Sequence, residues 1–376
     1  MNGLVSDIRE DLPQALQLLE QMVMMESPSF DKPLVDAFAR FVASRFSELG
    51  GKAEIIPAER FGDQIIVRFG PADTQPILLL GHTDTVFSTG EIQKRPFQSN
   101  GERATGPGVF DMKGGILLMW LALRSLGRRT AGLQSSVTVL LTSDEEVGSN
   151  ASRALIETEA RRAKAVLVLE PSLPGGVLKT ARKGVGRFTV KAIGRAAHAG
   201  IDPAKGINAI EEISHQVLRL QKMSEPPRGT TVTVGVVQGG TRSNVVPAEA
   251  AVDIDVRITS MEEANRITKL IRELPPVLAN ARLEIRGAIN RPPMERTADT
   301  VRLFEIARAV AAELGIDLNE GPTGGASDGN LTSALGVPTL DGLGPIGDGA
   351  HATAEYIEIN SLPERAALIA GLIDRI

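Results

Sequence analysis

The chain has 376 residues, 42% of them hydrophobic, enough for a sizeable core and more than one typical domain. A formal net charge of −5, a pI near 5.6 and 3% aromatic residues argue against a nucleic-acid binder, and no apolar run has the length of a membrane span. Cysteine is absent, so disulfides, thiolate metal sites and a cysteine nucleophile are excluded, and any metal must be held by His, Asp and Glu. The opening segment MNGLVSDIREDLPQALQLLEQMVMM carries early acids and no compact apolar stretch. It reads as an amphipathic helix rather than a signal peptide, and a cytoplasmic location is expected.

Residues 8–25 and 32–49 have helical apolar spacing. QIIVRFG (64–70) and PILLLG (76–81) are predicted strands, and GGILLMWLALRSLG (114–127) a helix apolar nearly all round. SVTVLLTSDEE (136–146) and AKAVLVLEPS (163–172) are further strands whose apolar runs are continuous, as in strands covered on both faces of an α/β sheet. Near Lys179 the character changes to alternating strands and amphipathic helices. Their order from 180 to 291 is β-α-β-β-α-β, the ferredoxin-like motif. Helix 299–314, the loop GPTGGASDGN, the strand VPTLDGL, the loop GPIGDGAHATAEY and a terminal helix then return to the first style. The expected architecture is α/β: a split catalytic domain, 1–179 and 292–376, with a mixed, mostly parallel sheet flanked by helices, around an inserted α+β domain, 180–291.

Several predicted strands end in chemistry. LLLG runs into His82 and Asp84, VLLTS into Asp144, Glu145 and Glu146, and VLVLE into Glu170. PTLDGLGPIGDGA leads to His351, and Asp111 precedes the two glycines of GPGVFDMKGG. Open α/β sheets bind ligands outside the carboxyl ends of their strands, so these groups stand where a site belongs. Singly, each has an ordinary explanation: a turn histidine, an acidic first helical turn, an N-cap or a surface acid. His82 and His351, two of the chain's four histidines, joined by Asp111, Glu146 and Glu170, give two imidazoles and three carboxylates, and three such acids would repel one another without cations. A two-cation site, with its ions about 3.5–4 Å apart and one bridging carboxylate, needs about this many ligands.

The set GHTDTV, GPGVFDMKGG, TSDEEVGS, VLEPS and GDGAHATAEY resembles, in order and over almost the whole chain, the two-zinc aminoacylase, acetylornithine deacetylase and glutamate carboxypeptidase family of metallopeptidases. The resemblance implies a pair of zinc ions per chain, with cobalt or manganese also suited to the oxygen-rich donors. It makes His82, Asp111, Glu146, Glu170 and His351 the metal ligands, with Asp111 bridging and a cis peptide after it. Asp84 would orient the His82 ring. Glu145 would be the general base, taking the proton of the attacking water and returning it to the leaving amine. His198, an ordinary turn histidine on local sequence, would on this resemblance reach across a dimer interface to an oxyanion in the partner. Asn244, Arg257, Arg291 and Gly325 would contact substrate, although the arginines could equally be surface ion pairs. His215, on the amphipathic helix of the insert, is read as an ordinary residue without a functional role.

The implied activity is hydrolysis of an amide bond that releases a carboxyl-terminal amino acid from an N-acyl or short peptidyl substrate. Glutamate is favoured by the wording of GPGVFDMKGG, TSDEEVGSNASRALIE and RPP and by Glu170, where other branches often have Asp. Deacylation of acetylornithine or succinyl-diaminopimelate is the alternative. The inserted domain would act as lid and homodimer platform. A non-catalytic binder on the same scaffold would be expected to have lost a ligand or the base, yet every position is filled. No glycine-rich phosphate loop or G-x-S-x-G elbow supports a nucleotide enzyme or a serine hydrolase.

Overall fold

The structure, a computed structural model, describes residues 2–129 and 132–376. In chain order, helices α1 (Asn2–Met24) and α2 (Lys32–Ser47) precede strands β1 (Lys52–Ile56), β2 (Gln64–Phe69) and β3 (Ile77–His82). Helix α3 (Gly114–Gly127), strand β4 (Val137–Thr142), helix α4 (Arg153–Arg162) and strand β5 (Ala165–Val168) follow. Then come β6 (Gly184–Ile193), α5 (Ala209–Gln221), β7 (Thr231–Gly239), β8 (Glu249–Ile258), α6 (Met261–Arg272) and β9 (Arg282–Arg291), and finally α7 (Ala298–Glu313), β10 (Thr339–Leu340) and α8 (Leu362–Arg375). Two compact units result: Met1–Ala181 with Arg296–Thr323 and Ser327–Ile376, and Arg182–Glu295 with Gly324–Ala326.

The larger unit is built on a six-stranded sheet in the order β1-β2-β4-β3-β5-β10. The β1, β2 and β4 neighbours are antiparallel, while β3, β4, β5 and β10 run parallel. Its continuous apolar runs have a simple cause. Alternate residues of a strand face opposite sides, and here both sides are covered. Ile65, Val67, Ile77, Leu79, Val139 and Leu141 pack into one core with α1, α2, α3 and α8. Ile66, Leu78, Leu80, Leu140, Val166 and Val168 pack into the other with Ile156 and Ala160 of α4. Helix α3 is buried from Ile116 to Leu123, which explains its apolar circumference.

The smaller unit is a four-stranded antiparallel sheet, order β7-β8-β6-β9, with its apolar face against α5 and α6. Strand β8 alternates buried and more exposed residues along its length, as a sheet covered on one face requires. Strand β7 lies at an edge. Among the described residues, no helix is long and apolar enough to cross a membrane.

The segment expected to be a loop, GPTGGASDGN, is more ordered than that. Glu320–Thr323 is a short strand and Gly329–Ala334 a short helix. Its turn-forming polar residues close the helical turn on themselves: Ser327 N–H donates to Asn330 Oδ1 (2.9 Å) and Gly329 N–H to Ser327 Oγ (3.1 Å), all buried.

Candidate metal centre

Strands β3, β4 and β5 are parallel neighbours, so their carboxyl ends open on one edge. His82, the last residue of β3, is level with Thr142 of β4. The acids therefore follow directly, in a short helical turn at Glu145–Val147. Leu80 is level with Val168 of β5, and carrying that register on by two residues sets Glu170 beside His82. Asp111 arrives from a tight turn, Val109–Lys113, just before α3, and its peptide bond to Met112 is cis. The glycines after it have a steric reason. A Cβ on Gly115 would stand 2.2 Å from the carbonyl oxygen of Leu169, so only glycine lets α3 approach the end of β5 this closely. His351 has φ of 64°, a left-handed backbone uncommon outside glycine.

The side chains converge. His82 Nε2 lies 3.2 Å from Asp111 Oδ1 and 3.5 Å from Glu170 Oε1. His351 Nε2 lies 3.3 Å from Asp111 Oδ2 and 3.1 Å from Glu146 Oε2. The two oxygens of Asp111 thus face different imidazoles, each with its own second carboxylate. Glu145 stands on the His82 side, with ligand atoms of His82, Glu145 and Glu170 all within 4.8 Å of one another.

Electrostatics follow from the crowding. Burial alone would lower the His82 imidazole, but Asp111, Asp84 and Glu170 outweigh it and raise its pKa well above the usual value. His351, held by Asp111 and Glu146, is raised to about 10. Burial would raise Asp111, yet its two imidazoles hold it well below the usual carboxylate range. Burial raises Glu146. In this arrangement the imidazoles serve as counter-charges for a cluster of acids. One oxygen of Glu146, Oε1, is buried with no hydrogen-bond partner among the described residues. A bridging carboxylate aimed two ways, an unpartnered carboxylate oxygen, two imidazoles whose Nε2 atoms face the acids and can exchange their protons for a cation, and oxygen and nitrogen donors only: this set fits a pair of divalent cations.

A surrounding shell fixes these side chains. The His82 Nδ1 is 2.9 Å from the carbonyl oxygen of Asp84 and 3.4 Å from its carboxylate, so Nδ1 carries a proton toward Asp84 while Nε2 faces the centre. The Asp84 carboxylate also accepts from the backbone N–H of Glu145 (3.1 Å) and of Glu146 (3.2 Å), and from Ser29 Oγ (2.7 Å). Two residues of this shell escaped the sequence reading. Ser29 is one. Glu355 is the other: buried, it accepts from the N–H groups of Gly108 (2.9 Å), Phe110 (2.8 Å) and Asp111 (2.9 Å), and burial pushes its pKa up to about 7. It lies within GDGAHATAEY, but nothing in local sequence aims it at a turn more than two hundred residues earlier.

The remaining candidates lie on the smaller unit. His198 is exposed, and its Nδ1 accepts from the N–H groups of Gly200 (3.1 Å) and Ile201 (3.2 Å), which leaves Nε2 as the protonated donor. Asn244 is also exposed, and its carbonyl accepts from Ala199 N–H at 3.0 Å, tying the two loops together. Arg257 forms a forked ion pair with Asp255 on the same strand (2.8 and 3.1 Å). Arg291 is buried at the end of β9, and the Gly325 carbonyl accepts from Arg182 at 3.2 Å. His215 is exposed on α5.

An acid-rich, two-histidine centre at the carboxyl edge of an α/β sheet, with the further carboxylate of Glu145 beside it, defines a metal-dependent hydrolase. Residues 78–375 match the profile of Peptidase family M20/M25/M40, and the chain belongs to that family. It is 31% identical to carboxypeptidase G2 of Pseudomonas sp. (strain RS-16), covering 99% of this chain and 91% of that one. It is 27% identical to an acetylornithine deacetylase of Myxococcus xanthus over 97% and 98% of the two chains. The fold is similar to that of aminopeptidase PepT from Bacillus cereus ATCC 10987 (TM-score 0.78, 20% identity, 96% and 98% covered). It is also similar to that of the Bacillus subtilis YXEP protein, described as a dinuclear metal-binding peptidase (TM-score 0.70, 16% identity, 97% and 98% covered).

Proposed function

We propose that the protein hydrolyses an amide bond to release a carboxyl-terminal amino acid, glutamate, from N-acyl or short peptidyl substrates, with a pair of zinc ions held by His82, Asp111, Glu146, Glu170 and His351. The observation that carries this reading is the division of the Asp111 carboxylate between two imidazoles, each paired with a further acid. A pair of divalent cations there supplies Lewis-acid polarisation of a carbonyl and brings the pKa of a water toward neutrality. The chain does the rest. Glu145, anchored through its own N–H by Asp84, accepts the proton of the attacking water and delivers it to the leaving nitrogen. His198 offers an Nε2–H suited to an oxyanion.

Glutamate as the released residue is supported by the motif wording and by the likeness to a carboxypeptidase at 31% identity. The 27% likeness to an acetylornithine deacetylase keeps N-acyl amino acid deacylation as the second reading. The substrate carboxylate would be met by Gly325 and by Arg257, Arg291 and Asn244 of the 180–291 domain, which we assign as lid and dimer platform. The edge position of β7, with Val236 and Val237 exposed beside Leu218 of α5, supports a homodimer formed there. A cytoplasmic location belongs to the same proposal.

The test is metal content per chain with a hydrolysis screen over N-acyl and peptidyl glutamate, acetylornithine and succinyl-diaminopimelate, run on wild type and Glu145→Gln. Near two metals per chain in both proteins, with release of glutamate abolished only in the variant, is the expected result. Turnover indifferent to Glu145, or no metal uptake on reconstitution, would overturn the mechanism. Preference for acetylornithine would move the protein to the second reading.

A further inference from the structure

Helix α8 is buried along most of its length, and every buried residue on it is apolar or glycine except Arg365. That side chain finds no carboxylate partner among the described residues. Its guanidinium donates to three backbone carbonyls instead: Nε to Gly344 (3.0 Å), Nη1 to Gly176 (3.0 Å) and Nη2 to Gly342 (2.5 Å). Burial alone pushes its pKa down, to about 10. A cation taken out of water without a counter-charge costs folding free energy, and carbonyl dipoles offset only part of it. Packing in the core has no need of such a group, so the identity of the three carbonyls matters.

They lie on two segments of the larger unit, one leaving Glu170 and one approaching His351. Gly176 is on the first, Gly342 and Gly344 on the second. The two segments are already laid together. The N–H groups of Leu343 and Gly344 donate to the carbonyls of Val168 (3.2 Å) and Glu170 (2.8 Å), and the Pro345 carbonyl accepts from the N–H (3.2 Å) and Oγ (3.1 Å) of Ser172. The approach is close: a Cβ on Gly344 would stand 2.5 Å from the Glu170 carbonyl oxygen. With its N–H groups engaged on the Glu170 side, the second segment still has the carbonyls of Gly342 and Gly344 to satisfy, and Arg365 satisfies both. Further on, the Ile346 carbonyl accepts from Glu358 N–H (2.8 Å) and Gly347–Asp348 pairs with Tyr356–Ile357, which closes the loop that holds His351.

One guanidinium thus ties the chain leaving Glu170 to the chain entering His351. Glu170 stands with His82 at one oxygen of Asp111, and His351 stands with Glu146 at the other. We propose that Arg365 is a positioning residue of the metal centre: by forking across Gly176, Gly342 and Gly344 it fixes the separation of Glu170 and His351, and with it the spacing of the two cations. The proposal rests on the ligand set given above and deepens it. Its shape explains why the residue is arginine. The guanidinium is planar, always charged and donates from three nitrogens in a fixed fork, whereas a lysine ammonium is a point donor on a flexible stem.

The test compares wild type with Arg365→Lys and Arg365→Met, and with Ile156→Ala as a control for lost stability, since Ile156 is buried on α4 in the other core. Each protein is stripped of metal and reloaded with manganese(II). Chelator competition gives the affinities, and the spin-coupled signal in electron paramagnetic resonance reports the spacing of the pair. In Arg365→Lys the weaker of the two metal dissociation constants should rise about tenfold or more, the coupled signal should change, and kcat should fall with KM nearly unchanged. Ile156→Ala should lower Tm yet keep the wild-type affinities and signal. Wild-type affinities and an unaltered signal in both Arg365 variants would overturn the proposal. So would the same changes in Ile156→Ala, which would trace them to stability alone. If neither Arg365 variant folds, Arg365 determines the fold rather than the spacing, and the proposal falls. A wild type that takes up no metal pair would instead sink the ligand assignment, and the proposal with it.

Discussion

The carboxylate of Asp84 accepts the backbone N–H of Glu146 at 3.2 Å, and its other oxygen accepts that of Glu145 at 3.1 Å. One buried acid therefore aims two consecutive acids, while the carbonyl of the same residue holds the His82 ring. Adjacent residues on a short helical turn point in different directions, so a single anchor can turn Glu146 toward His351 and Glu145 toward His82.

Asp84→Asn tests this. An asparagine has one acceptor oxygen where the carboxylate has two, and its amide group would face an N–H donor. Metal affinity should fall about 10–100-fold, with a matching fall in kcat, and Tm should fall too because a buried N–H loses its acceptor. Titration against a chelating indicator and steady-state kinetics read both. Unchanged affinity and turnover would remove Asp84 from the ligand-orienting role.

Gly115→Ala asks whether the close approach of α3 to β5 matters. The added Cβ would meet a backbone oxygen at 2.2 Å, so the turn carrying Asp111 or the chain leading to Glu170 must shift. A cost of about 1–3 kcal/mol in stability is expected, with weakened metal binding. Thermal unfolding and elemental analysis of the purified variant check it; a fully metal-loaded variant with wild-type Tm would show that the contact relaxes freely.

Glu263, in the smaller unit, gives a pH prediction. Its carboxylate bonds Arg266, Thr230 and Arg228, which together hold its pKa at about 2, below the ordinary 4.5. A depressed folded value means the stabilisation is complete above about pH 4.5 and is lost as pH falls toward 2. Glu263→Gln should thus destabilise the smaller unit by about 2 kcal/mol at pH 7, with the gap to wild type narrowing below about pH 4.5. Urea unfolding at a series of pH values measures it. A gap that stays constant with pH would contradict the assignment.

Val237→Lys probes the proposed dimer. Val237 is 65% exposed on the edge strand β7, and a lysine there blocks strand addition without touching a core. The variant should sediment as a monomer and bind metal as wild type does. If both proteins have the same mass in solution, the edge is not the interface.

Much of this was legible in the residues. The apolar runs at 77–82, 137–142 and 165–168 marked strands covered on two faces, and the change to alternation after Lys179 marked the start of a sheet covered on one. The acids and imidazoles were visible because they stand where apolar runs stop. Less legible was the segment 320–334, where Glu320–Thr323 pairs as a strand with the distant Leu178–Arg182, and bonds from Ser327 to Asn330 and from Gly329 to Ser327 close the turn into the helix Gly329–Ala334.

By itself the sequence determined the strands, the layered class of the fold and the kinds of donor available, because periodicity and residue chemistry are local properties. The tertiary structure alone decided how Asp111 divides its oxygens between two imidazoles, that Asp84 and Ser29 anchor the acids, that Glu355 pins the Asp111 turn, and that Arg365 bonds the carbonyls of Gly176, Gly342 and Gly344. Those relationships join residues tens to hundreds of positions apart, and only parallel strand register and the closing of loops across the sheet edge bring them within hydrogen-bond reach.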